Sequence, residues 1–283
     1  MRHSNAFTLI ELLVVIAIIA VLMGVLMPAL NVVREQARGM NCLANQRSLA
    51  MAYIMYADEN DSRICGGYAR YHPVNGIPPW VKGPLRYSGP KMVELGQGEV
   101  TLEQRINGIK AGELYKYIKD TEAYHCPGDR RYRRGTSAGI NAEYTMYRSY
   151  NLSNYMRATE PTDEKILTSF KLPAKKMLFV EDFYDGLMIN HSPSWAYEPG
   201  THSLWDPLGL NHSDSCTFSF MDGHAAMKKW TDRRTLIYFR SRLEAASLGF
   251  GRREVFNPTN EDLYWLDEHY PGKSRYKDSS VVP

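Results

Sequence analysis

Residues 12–33 read LLVVIAIIAVLMGVLMPALNVV, 22 positions without an Asp, Glu, Lys or Arg. As an α-helix rising about 1.5 Å per residue the run covers about 33 Å, against a hydrocarbon core of about 30 Å, so it can cross a bilayer once. A cleavable secretory signal also starts on a basic residue, here Arg2, but its apolar region is only about 7 to 15 residues long. This run exceeds that. Glu11 directly precedes it, four residues after Phe7. A carboxylate at the apolar entry to a membrane costs about 2.5 to 3.5 kcal/mol on insertion scales, so it is functional by default and calls for a partner. Pro28 lacks an N–H and crowds the preceding turn, which bends or locally opens a helix and is tolerated in membranes where neighbouring helices compensate.

The rest of the chain has a different character. Of 283 residues, 44% are hydrophobic and 23% charged, the averages of soluble globular domains, which excludes a disordered, collagenous or polytopic membrane protein. A mean hydropathy of −0.40 is therefore the sum of one insertion segment and a soluble head. The net charge is only +3, without a long basic run, so no nucleic-acid partner is expected. Arg2 lies on one side of the apolar run and Arg34 and Arg38 on the other, a charge balance that by itself favours a cytoplasmic head.

Beyond the run the helix continues to about residue 60, with Cys42, Leu49, Ala52, Tyr53 and Tyr56 forming an apolar stripe suited to packing on a sheet, interrupted at Gln46. Asp58, Asn60 and Ser62 alternate like the first ligands of a calcium loop, but Arg63 occupies the required glycine position and Ala69 that of the bidentate acid, so a solvated helix end is the expectation. The glycines and prolines of residues 66–91 predict a long irregular loop. Residues 112–129 predict a short helix carrying Leu114, Tyr117 and Ile118, then an extended AYHCP entering a turn. Arg130, Arg131, Arg133 and Arg134 read as a solvated loop. Residues 149–156 and 175–182 are strand-like, the second ending in an acidic loop at Glu181, Asp182 and Asp185.

The strongest local signal is SCTFSFMDGHAAMKKW at residues 215–230. Asp222-Gly223 predicts a two-residue hairpin turn that sets Phe220 opposite Ala225 and Phe218 opposite Met227, with Cys216 on the same face. After it, Asp232 is a cap for a helix bearing Leu236, Phe239 and Leu243. Thr259 or Asn260 caps another near Leu263 and Leu266, ended by Pro271-Gly272.

Taken whole, the opening MRHSNA followed by FTLIELLVVIAIIAVL resembles the class III signal of type IV pilins and of the pseudopilins of type II secretion systems. The resemblance implies a prepilin peptidase that cuts between Ala6 and Phe7 and methylates the new amino terminus of Phe7, with Glu11 as the acidic assembly residue and Pro28 as the helix-kinking proline. Ala6 departs from the usual Gly before the cut. His212, nine intervening residues and then Asp222-Gly223 resemble the carboxy-terminal H-x9-DG domain of one pseudopilin-like branch. GELYKYIKDTEAYHCPGD resembles its Gly-x-Leu-aromatic helix and Cys-Pro turn.

The implied fold is α+β: a leader at 1–6, a long amino-terminal helix at 7–60 whose first half spans the membrane, and a head at 61–283. The head places that helix on an antiparallel sheet, with irregular loops and the hairpin of residues 212–230. Implied too are a single-pass inner-membrane protein with an extracytoplasmic head, assembling with other pilin-like subunits; we follow the processing motif over the charge balance. Four cysteines, Cys42, Cys65, Cys126 and Cys216, allow three disulfide pairings and are too dispersed for a CxxC zinc site. CLANQRSLAMAYIMYADEND, which begins at Cys42, resembles the second half of the family's long helix, and the resemblance favours pairing Cys42 with Cys126 of the Cys-Pro turn.

Chemistry is otherwise sparse. No nucleophile elbow, phosphate loop, zinc-protease helix or kinase set is present, so no enzyme, cofactor or metal is expected. His212 and Asp222 invite a metal reading, but a strand between them advances about 3.3 Å per residue and holds them roughly 30 Å apart, so structural roles are expected: the turn for Asp222, the strand entry for His212. Two other functions stay open. Trp80, Trp195, Tyr197 and Trp205 in loop-like sequence could hold a polysaccharide or secreted substrate, and the acidic and histidine residues of 181–224 could serve a surface hydrolase.

Overall fold

A computed structural model of the chain describes residues 9–68, 71–73, 75–95, 100–129, 147–157, 166–182, 194–199, 203–204, 206–248 and 259–272. Ala6, Phe7, the arginines at 130–134, Asp185 and Trp205 lie outside them.

Helix α1, Leu9–Glu59, runs unbroken through Pro28 for 51 residues, about 77 Å at the usual rise. Its two halves obey different patterns. From residue 9 to 34 every position is exposed, and the apolar side chains point in all directions. From Gly39 onward a single stripe is buried, Gly39, Cys42, Gln46, Leu49, Ala50, Tyr53 and Tyr56 among it, at the three-and-four spacing that keeps one helix face on the head. The helix ends at a polar corner where Asp61 and Ser62 take positive φ and the Ser62 amide returns to the Ala57 carbonyl at 2.8 Å.

The stripe lies on an antiparallel sheet of order β3-β4-β7-β8, formed by β3 (Tyr150–Leu152), β4 (Met177–Glu181), β7 (Ser215–Phe220) and β8 (Ala225–Lys229). Between them in sequence come the two-residue strands β5 (Tyr197–Glu198) and β6 (Ser203–Leu204), paired with each other. β7 is buried on both faces. Cys216, Phe218 and Phe220 join a core with α4 (Arg233–Arg240) and α6 (Glu261–His269), which flank α5 (Arg242–Ser247) in sequence. On the other face, toward α1, the strand presents Thr217 and Ser219. That face explains the break in the stripe: the Gln46 side-chain amide donates to the Thr217 carbonyl at 2.8 Å.

Four expectations need correction. The hairpin loop has three residues, Met221 to Gly223, so Phe218 pairs with Ala226 and Thr217 with Met227. The Gly223 amide closes on the Phe220 carbonyl and Gly223 sits at φ +90°. A loop one residue longer shifts the register and reverses which β8 side chains share the Cys216 face. Second, Glu181 belongs to β4 and is fully buried, because the head supplies donors to its carboxylate. Third, residues 66–91 end in strand β1 (Leu85–Ser88), paired antiparallel with β2 (Lys91–Glu94) across Gly89-Pro90, and Trp80 is fully buried. Helix α2 (Leu102–Lys110) follows, opened by a reciprocal capping box between Thr101 and Gln104. Fourth, α3 (Tyr115–Ile118) forms as expected, but residues 122–124 make a 3-10 turn before Cys126. The Asp232 and Asn260 caps stand at the starts of α4 and α6, although α4 stops at Arg240 and Leu243 falls in α5.

Candidate functional site

Two regions carry functional chemistry. The first is the free half of α1. Leu9, Ile10, Val25 and Met27 are 79, 74, 73 and 63% exposed, and no residue from 9 to 34 is covered by the head. An all-round apolar helix of this kind is stable only in lipid or among other apolar helices. Among the described residues it is the one helix long and apolar enough to cross a membrane. Glu11 sits in its first turn, exposed, where the positive end of the helix dipole favours a carboxylate.

The second region lies where α1 enters the head. Cys42 of α1, Cys126 of the Cys-Pro turn, Glu181 at the end of β4 and His212 before β7 are all buried, with their ligand-type atoms within 4.8 Å of one another. The Cys42 thiol donates to Cys126 Sγ at 2.8 Å; the two are not covalently joined. His212 Nε2 stands 3.4 Å from Cys126 Sγ and 3.3 Å from Glu181 Oε1. Its Nδ1 faces Glu35 Oε1 at 3.5 Å.

Local structure fixes each member. The Asp129 amide closes the Cys-Pro turn on the Cys126 carbonyl at 2.9 Å, and the Asn45 side chain ties the turn to α1 by donating to the His125 carbonyl at 3.0 Å. Glu181 Oε2 accepts from the Thr217 amide and hydroxyl, both at 3.1 Å, and Oε1 from Asn211 at 2.9 Å. Burial works against the Glu181 charge, but His212 and Asn211 outweigh it and hold the carboxyl below its ordinary range. Burial likewise opposes the charge on His212, yet its bonds with Cys126 and Glu181 raise it to about 10. The bond from Cys42, together with burial, pushes the Cys126 thiol up.

The other sequence candidates disperse. Asp222 stands in the hairpin turn at the far end of β7 from His212 and accepts from the His224 amide at 3.1 Å, the turn role expected of it. His212 does more than enter a strand, since it joins three groups from distant segments. Sequence reasoning missed Glu35 and read Glu181 only as part of an acidic loop and of the 181–224 acidic and histidine set; its place directly after the apolar run MLFV was the available hint. Trp80 and Trp195 are fully buried and Tyr197 is 3% exposed, so these rings are core and offer no stacking platform. Cys216 is a small core residue on β7.

Residues 1–27 match the family model of the prokaryotic N-terminal methylation motif. Over 62 residues the chain is 44% identical to the type IV wide pilus major component PilA4 of Thermus thermophilus, a stretch that makes up 22% of this chain and 47% of that protein. The match thus spans about half the length of that relative. No solved structure matches the chain at comparable stringency.

Proposed function

We propose that this chain, type IV pilin-like with an amino-terminal methylation motif, works as a structural subunit of a type II secretion or type IV pilus-like filament. The observation that carries the reading is the free half of α1: 26 successive exposed residues, 9–34, continuous with a helix whose second half is built into the head. Before assembly this half crosses the inner membrane once, with the head extracytoplasmic. In the filament it joins a central bundle of like helices. Prepilin peptidase cuts between Ala6 and Phe7 and methylates Phe7, and the Glu11 carboxylate meets the new amine of a neighbouring subunit, offsetting the cost of burying both. The head faces outward and works without catalysis.

Trp80, Trp195 and Tyr197, three of the four rings on which a glycan-binding reading stood, are buried in the core. His212 and Asp222 stand at opposite ends of β7, so these two members of the 181–224 set do not act together.

Amino-terminal analysis of the protein from cells with and without prepilin peptidase tests the reading. Methylated Phe7 only where the peptidase is present is the expected result; an intact Met1 in both strains would overturn it.

A further inference from the structure

We propose that Cys42, Cys126, Glu181 and His212 form a tetrahedral metal site, with zinc as the ion it takes. The donor set is two sulfurs, one imidazole nitrogen and one carboxylate oxygen, all buried and within 4.8 Å of one another. Thiolate and imidazole select zinc over the hard cations calcium and magnesium.

The spacings suit the ion. Zn–S, Zn–N and Zn–O bonds of about 2.3, 2.05 and 2.0 Å in a tetrahedron put a sulfur and a nitrogen about 3.5 Å apart, and a nitrogen and an oxygen about 3.3 Å apart. His212 Nε2 stands 3.4 Å from Cys126 Sγ and 3.3 Å from Glu181 Oε1. The two sulfurs, at 2.8 Å, would separate by about 1 Å to reach the tetrahedral edge of about 3.8 Å.

The surroundings carry the argument further. A metal-bound histidine donates its other ring N–H to a carboxylate or carbonyl, which sets the tautomer. Here His212 Nδ1 faces Glu35 Oε1, and neither atom has a hydrogen-bond partner within bonding distance. Glu181 is held by Thr217 through Oε2, which leaves Oε1 turned to the cluster, and the Gly128 amide donates to Cys126 Sγ at 3.3 Å, a contact that favours a thiolate. On binding, zinc displaces both thiol protons and the His212 Nε2 proton to solvent, and the imidazole binds neutral through Nε2, keeping its Nδ1 proton toward Glu35. Two thiolates and a carboxylate around a dication leave one negative charge. The site would join α1 to three separate parts of the head at the point where the helix emerges, and so stiffen that junction whether or not the chain assembles.

The test uses the full-length protein purified in detergent without chelator. Metal analysis should find one zinc per chain, and cobalt exchanged for it should show a thiolate charge-transfer band with the intense ligand-field bands of tetrahedral geometry. Alkylation of Cys42 and Cys126, followed by peptide mapping, should be blocked until a chelator is added. Cys126→Ser should abolish zinc retention. Glu35→Gln, which keeps every ligand, should weaken zinc by about 10- to 100-fold and covers the case in which the ligand variant fails to fold. A Cys42–Cys126 disulfide in protein alkylated at the moment of lysis, or reduced thiols that give cobalt no charge-transfer band, would overturn the proposal.

Discussion

Gln46 and Glu11 are both polar residues on an apolar helix, one on the half seated in the head and the other on the half left bare. Gln46 finds its partner inside the chain, donating to the carbonyl of Thr217 on β7. Its Oε1 is buried without a partner, so removing the side chain relieves one unsatisfied atom while creating another. Gln46→Leu should therefore destabilise the head by only about 1 kcal/mol rather than the 3 kcal/mol at the top of the range for an orphaned buried group. A shift in urea midpoint at unchanged slope measures it; no shift would mean the Thr217 carbonyl needs no donor. Glu11 lies on the half of α1 that the head leaves bare, where the proposed filament contact would reach it. Glu11→Ala should leave membrane insertion intact and lower recovery of the subunit in sheared filaments. Normal recovery would count against its assembly role.

At the scale of elements, local chemistry predicts where structure starts and stops better than how strands align. The cap at Asp232 was legible because a carboxylate before a helical pattern has one obvious use: it accepts from the Arg234 amide at 2.8 Å. The Arg234 guanidinium bonds hold the Asp232 carboxyl below its ordinary value, so the folded state favours the charged form. That contribution is full above the unfolded value of about 3.9 and fades as pH falls through the lower folded one. Asp232→Ala should accordingly cost about 1 kcal/mol at neutral pH and progressively less in acid, read from melting curves across pH. The hairpin was legible in place but not in register, because Asp-Gly also fits a three-residue loop and one extra residue turns β8 over. Gly223 at φ +90° also lies where a Cβ would stand 2.8 Å from Met51 Sδ. Gly223→Ala should cost about 1 kcal/mol or more in thermal or urea unfolding, and a neutral result would mean that the turn can relax to a different loop.

For the whole molecule, the division at residue 34 has a direct consequence. None of residues 9–34 is covered by the head, whereas from Glu35 onward one face of α1 packs against it. A chain beginning at Glu35 should keep the head's unfolding transition, remain in the soluble fraction and run as a monomer, while the full chain partitions with membranes. Aggregation of the shortened chain would show that the apolar half shields some part of the head. The sequence by itself determined this division, along with the membrane-competent helix, the stripe that seats its second half and the helix caps, because each is set by periodicity and by residues within a few positions of one another. Only the tertiary structure decided that Gln46 meets Thr217, that Trp80 and Trp195 are core, and that Glu181 is buried. It alone brought Cys42, Cys126, Glu181 and His212 together. Those residues are separated by 31 to 170 positions, and no local spacing encodes contacts that form only when the sheet packs on α1.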